Sequence, residues 1–144
     1  MPNNKAKGSK AERELISTFN EHGWRAVRVA GSGVKDESPC DIIVGKIGKK
    51  GYVVECKSSK KKTIYITKQQ IDDFIVFSKT IGLNSVIAAR FNREGWFFLD
   101  PLFLKDTGKY WALSLEQAKK NGNRFGQFFH EHSVSPSPSE FFTF

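Results

Sequence analysis

Cysteine is scarce in this chain: Cys40 and Cys56 are its only two. No CxxC spacing accompanies them, so neither a zinc site nor a disulfide framework is expected. They read as buried free thiols in a reducing compartment. Long hydrophobic runs are missing too, and no stretch approaches the ~20 apolar residues that cross a bilayer. The opening Met1-Pro2-Asn3-Asn4-Lys5 lacks the apolar segment of a secretion signal. The expectation is an intracellular, cytoplasmic protein, nucleoid-associated and with no membrane contact. Acidic residues are in deficit as well, 15 against 23 lysines and arginines, which leaves a net charge of +8. That excess favours a polyanionic partner, most simply nucleic acid. A merely soluble basic surface explains charge alone equally well, so motifs must decide.

The 144 residues suit one domain with a real core. Residues 1–8 are polar and basic and read as a flexible arm, 9–132 as the folded domain, and 133–144 as a disordered tail by composition. Ser9-Lys10-Ala11-Glu12 has the form of a capping box, and Leu15, Ile16 and Phe19 continue a helical stripe that Gly23 ends. Trp24 to Ala30 alternates as a strand. Thr67 to Gln70 is a second capping box, opening a helix that carries Ile71, Phe74, Ile75 and Ile81 on one face. Val76 and Phe77 widen its apolar surface beyond one stripe. Thr63 to Ile66 reads as a short strand, Asn84 to Phe91 and Trp96 to Leu99 as a hairpin, and Leu115 to Lys120 as a helix. The order is mixed α/β.

The chemistry concentrates in two apolar runs, Cys40-Asp41-Ile42-Ile43-Val44-Gly45 and Tyr52-Val53-Val54-Glu55-Cys56-Lys57, joined by Gly48-Lys49-Lys50-Gly51. Both read as strands. Glu55 and Lys57 then share a face, about 7 Å apart, while Cys56 points away. Pairing of the two strands lets Asp41 join them. Two carboxylates and one ammonium at a single spot can hold Mg²⁺ and stabilise charge at a scissile phosphate. In a basic chain this points to a nuclease. The competing reading is two carboxylates at strand ends, with Lys57 merely paired to Glu55.

These residues resemble a known family. Asp41 followed by Glu55-Cys56-Lys57 looks like the D…(D/E)xK signature of restriction-endonuclease-like nucleases. Four ordered blocks more closely resemble archaeal-type Holliday junction resolvases of the Hjc group. They are Lys7 to Leu15, Arg28 to Gly33, Pro39 to Ile43, and Val54 to Lys57. The likeness covers roughly residues 5 to 100. Cys40 stands between Pro39 and Asp41, a departure from the commonest PD form.

The resemblance implies a single α/β domain with a mixed central sheet flanked by helices. It implies a homodimer that nicks four-way DNA junctions symmetrically, with Mg²⁺ as cofactor and Mn²⁺ as a substitute. It assigns catalytic positions to Glu12, Asp41, Glu55, Lys57 and Ser32, with Glu12, Asp41 and Glu55 as metal contacts; the Cys56 backbone carbonyl could supply a further oxygen to the metal. Glu12 by itself is explained by capping; only the family match gives it a catalytic place. Lys7, Lys10, Arg13, Arg25, Arg28, Lys35 and Lys60, Lys61 and Lys62 flank the motifs as candidate phosphate contacts. The helix with Phe74, Phe77 and Ile81 is the candidate dimer surface. The terminal aromatics Phe141, Phe142 and Phe144 are a candidate docking peptide for a sliding clamp, although the expected glutamine is absent. His130-Glu131-His132 reads as solvated rather than metal-binding. The rivals are another nuclease of the same fold and a non-catalytic junction-binding protein.

Overall fold

A computed structural model describes residues 4–29 and 38–130, with residues 4–9 as backbone alone. Ala11, Leu15 and Phe19 recur every fourth residue and are buried together, which gives helix α1 (Asn4–Glu21) its inner face. The chain continues through β1 (Arg25–Arg28), β2 (Ile42–Gly45), β3 (Tyr52–Ser59) and β4 (Thr63–Thr67). Helix α2 (Lys68–Ile81), β5 (Asn84–Phe91) and β6 (Gly95–Leu99) follow. A 3-10 turn (Pro101–Phe103) leads to β7 (Lys105–Asp106), β8 (Tyr110–Ser114), α3 (Leu115–Asn121) and α4 (Phe125–Phe129).

Five strands form the main sheet in the order β1-β2-β3-β5-β6. Only β3 and β5 run parallel; every other neighbouring pair is antiparallel. The parallel pair needs a crossover, and β4 with α2 supplies it. Both faces of the central strands are covered, so β3 reads as a nearly continuous apolar run until Glu55. On one face, Val53, Ile87 and Ala89 pack with Ile71 and Phe74 of α2 and Ile64 and Ile66 of β4. On the other, Val54, Val86 and Ala88 pack with Leu15 and Phe19 of α1 and Phe129 of α4.

Helix α2 starts and stops as its sequence dictates. The Thr67 hydroxyl accepts from the Gln70 N–H at 3.1 Å, and Gln70 Oε1 accepts from the Thr67 N–H at 3.4 Å. Gly82 closes the helix at φ +74°, a conformation that glycine adopts without a Cβ penalty.

Two expectations need correction. Helix α1 begins at Asn4, so residues 4–8 lie in its first turns and Ser9 lies inside it rather than at its cap. The run Lys5-Ala6-Lys7 has the propensity to extend the helix backwards, and a local Ser-x-x-Glu pattern does not by itself mark a start. The strand expected at Thr63 to Ile66 is present as β4, and it lies in a second sheet, β4-β8-β7. Phe74 is fully buried, which withdraws it from any subunit surface, whereas Val76 and Ile81 are exposed. Four elements went unread: the 3-10 turn, β7, β8, and α4 with its three phenylalanines.

Candidate active site

The site grows from a fork in the sheet. Strands β2 and β3 pair only from Val44↔Tyr52 to Ile42↔Val54. Beyond that point β3 runs on to Ser59 with β5 as its only strand partner among the described residues. Its other edge opens at Glu55, and Asp41 fills the gap. The Asp41 N–H donates to the Val54 carbonyl at 3.0 Å, and the Cys56 N–H donates to Asp41 Oδ2 at 2.8 Å. A strand residue sends its N–H and C=O to the same edge, so the Cys56 carbonyl also faces the Asp41 side. The Asp41 carbonyl accepts from the Val29 N–H at 2.9 Å, tying the end of β1 to the same spot.

Glu55 is buried and shares its face with Lys57, whose Nζ lies 3.9 Å from Glu55 Oε2. Cys56 packs against the opposite layer. The alternation expected of a strand therefore holds, and the resting Glu55–Lys57 ion pair is present alongside the convergence with Asp41. Glu12 comes from α1 and is buried too. It caps nothing. Its Oε2 instead accepts from Arg28 Nε of β1 at 2.6 Å, an ion pair that spacing could not reveal because it joins two elements.

Charge crowding perturbs the group. Burial first, then the negative charge of Asp41, pushes the Glu55 carboxyl well above the usual carboxylate range. Lys57 opposes that shift, while a hydrogen bond with Asp41 and the more distant Glu12 add to it. Burial likewise raises the Cys56 thiol, and it pushes the Cys40 thiol up to about 12 with help from Glu55 and Asp41. Neither thiol is a nucleophile here. Among the described residues, no three acidic, histidine or cysteine side chains form a complete cation cage on their own.

The remaining candidates scatter around this core. Lys10 and Arg13 are exposed on α1, Arg25 and Arg28 on β1, and Lys60, Lys61 and Lys62 in the turn between β3 and β4. Lys7 lies on α1, where only the backbone is described. Ser32, Lys35 and the tail from 133 to 144 lie outside the described residues. His130 ends α4 in the left-handed conformation and is exposed, with its two motif neighbours outside the described residues.

A forked mixed sheet with an aspartate at the fork and a Glu-x-Lys pair on the continuing strand defines the restriction-endonuclease-like class of fold. Comparison with known proteins narrows this. The archaeal Holliday junction resolvase (Hjc) family matches residues 3–131. Crossover junction endodeoxyribonuclease Hjc of Archaeoglobus fulgidus is 31% identical over 88% of this chain and 98% of its own length. Its namesake from Methanocaldococcus jannaschii is 37% identical over 74% of this chain and 75% of its own. The solved structure of Archaeoglobus fulgidus Hjc, a Holliday junction resolvase, superposes with a TM-score of 0.75. That match covers 84% of this chain and 98% of the other at 26% identity. The chain belongs to the archaeal Holliday junction resolvase family.

Proposed function

We propose that this protein is a metal-dependent, structure-selective endonuclease that resolves four-way DNA junctions by paired symmetric nicks. The observation that carries the reading is buried Glu55 beside half-buried Asp41, with Lys57 held 3.9 Å from Glu55. The negative charge of Asp41 disfavours ionisation of Glu55, and a divalent cation would relieve that crowding. Oxygen donors suit Mg²⁺, with Mn²⁺ as a substitute. Asp41, Glu55 and the Cys56 carbonyl would hold the ion, with Glu12 close enough to act electrostatically or through water. Mg²⁺ keeps several waters and takes phosphate oxygens, so this sparse protein set suffices. When bound, the ion supplies Lewis-acid stabilisation of phosphate charge and lowers the pKa of a water.

The chain's own groups do the rest. Lys57 places its ammonium where negative charge develops on the phosphoryl oxygens. Water attacks phosphorus, the 3′ oxygen leaves with a proton, and the products are a 5′-phosphate and a 3′-hydroxyl. Arg13, Arg25, Arg28 and the run Lys60 to Lys62 contact phosphates, which carry no base information, so selectivity rests on junction shape. Ser32 keeps the assisting role given by family likeness.

A two-fold pair of subunits explains paired nicks, because the junction offers equivalent strands. The outer face of α2 supports such pairing: Val76 is 63% and Ile81 41% exposed. The terminal aromatics remain a docking candidate for a sliding clamp. Among the described residues, no helix is long and apolar enough to cross a membrane, and a resolvase that acts on branched DNA of the cell's own chromosome would work inside the cell.

The test is cleavage of a synthetic four-way junction against linear duplex of the same sequences, with Mg²⁺ or with EDTA. Metal-dependent paired nicks in the junction alone are expected, and Lys57→Ala should bind the junction without cutting it. Equal cutting of the duplex would replace this reading with a general nuclease. Tight binding without cutting in either Mg²⁺ or Mn²⁺ would replace it with a non-catalytic junction binder.

A further inference from the structure

The second sheet carries an outer face that the proposed reaction does not use. Strand alternation turns Ile64 and Ile66 of β4 and Leu113 of β8 into the core. The same alternation turns Thr63, Tyr65, Tyr110, Ala112 and Ser114 outward, and the register sets Tyr65 opposite Ala112 and Thr63 opposite Ser114. Tyr65 is 59% and Tyr110 38% exposed, and their rings meet edge to face at 6.0 Å. An exposed aromatic pair on a sheet needs a reason, since burial of either ring would be favourable. Beside it lies a shallow groove of about 460 Å³, floored by Ala112 and rimmed by Lys105 and Lys120.

The charge around this face is one-sided. Lys61, Lys62, Lys105, Lys109 and Lys120 are all exposed, and among the described residues none of them sits in an ion pair. Of the acids nearby, Asp106 is held by Lys68 at 2.5 Å, which leaves Glu116 as the acid lining the groove. The chain itself links this face to the candidate active site. Strand β3 carries Glu55 and Lys57, passes directly into the lysine turn and re-emerges as β4 with Tyr65. The Lys62 carbonyl accepts from the Leu115 N–H at 2.7 Å, which pins that turn to the far rim of the groove.

Exposed rings set among lysines and hydroxyls are the elements of a single-strand platform. Bases stack on the rings, and the backbone tracks the cations. Duplex DNA has no free base faces to offer tyrosines on a flat sheet. We propose that the outer face of the β4-β8-β7 sheet binds single-stranded DNA, stacking bases on Tyr65 and Tyr110. The protein would thereby hold an unpaired strand flanking a branched substrate. This goes beyond the resolvase reading and is tested separately from it.

The experiment is fluorescence anisotropy on the full-length protein in EDTA. The probes are an oligo(dT) of about fifteen nucleotides, its abasic counterpart with the same phosphates, and a duplex of equal length. Oligo(dT) should bind roughly tenfold more tightly than the abasic strand, in keeping with stacking on exposed aromatics. Tyr65→Ala combined with Tyr110→Ala should erase that difference, and Tyr65→Phe, which keeps the ring, should preserve it. The double variant should still cut a fully paired junction at the wild-type rate. Equal binding of oligo(dT) and abasic strand by the wild type would overturn the proposal and leave only charge. So would a double variant that binds oligo(dT) as well as the wild type. Failure of the wild type to cut junctions would overturn the resolvase reading and leave this inference standing.

Discussion

Asp41→Asn should make the metal-free protein more stable while it abolishes cutting. The substitution keeps an oxygen that can accept from the Cys56 N–H, so the fork itself survives. What it removes is the negative charge that, after burial, does most to raise the Glu55 carboxyl. A carboxyl whose folded pKa lies above its unfolded value gives stability that is full below the unfolded pKa. That stability is lost as pH rises through the folded one. The wild type therefore loses stability on going from acid to neutral pH at this site, and the variant loses less. Two unit charges about 4 Å apart repel by about 4 kcal/mol at an effective dielectric of 20. Lys57 stands 3.9 Å from Glu55 and offsets part of this. A net gain of about 1–2 kcal/mol is expected, or about 3–8 °C in Tm for a domain of this size. Thermal unfolding in EDTA at about pH 8 and about pH 4 measures it; the gain should be present at the first and vanish at the second, near or below the usual carboxylate pKa. Adding Mg²⁺ to ten times its Kd should stabilise the wild type by about 1.4 kcal/mol and the variant far less. A variant less stable than the wild type at about pH 8 in EDTA, or a gain independent of pH, would refute the charge-crowding argument.

Other perturbations probe the scaffold. Phe129 is 2% exposed and meets the rings of Phe19, Trp24, Tyr52 and Phe98, so Phe129→Ala should cost about 3–5 kcal/mol in chemical denaturation. A cost below about 1 kcal/mol would mean that α4 is not part of the cooperative core. Thr67→Ala removes the α2 cap and should cost about 1 kcal/mol, with Thr67→Ser recovering most of it. Cys40, buried and with its thiol pushed up to about 12, should resist a thiol reagent near neutral pH until the protein unfolds. Rapid native-state labelling at Cys40 would contradict its placement.

The sequence was most legible where one element explains its own residues. The α2 cap, the Gly82 stop and the β5–β6 hairpin follow from local rules, and all three are present in the fold. Glu55 and Lys57 were legible for the same reason, because a period of two fixes a shared face without any tertiary knowledge. Glu12 was not. Its local pattern suggested a cap, while its true partner, Arg28, lies on another element. Strand β8 hid because Tyr110 to Ser114 is short and mixed. Helix α4 hid because Phe-Gly-Gln-Phe-Phe has no polar face to betray a helix, and its phenylalanines are explained only by the ring cluster they enter. The separate small sheet could not be read because adjacency in sequence favours pairing β4 with the strand before it.

The alternation along β3 ties the chemistry to the core in a way that governs how this chain can change. Val53, Glu55 and Lys57 face one layer while Val54 and Cys56 face the other. Adding or deleting one residue between Val53 and Lys57 would exchange those layers, burying the lysine among aromatics and turning valines toward the candidate site. Substitution can drift along this strand, but length cannot. Insertions are confined to its two ends, the Gly48 to Gly51 turn and the lysine turn after Ser59, so the reading frame of the site is kept in phase by the packing of the fold.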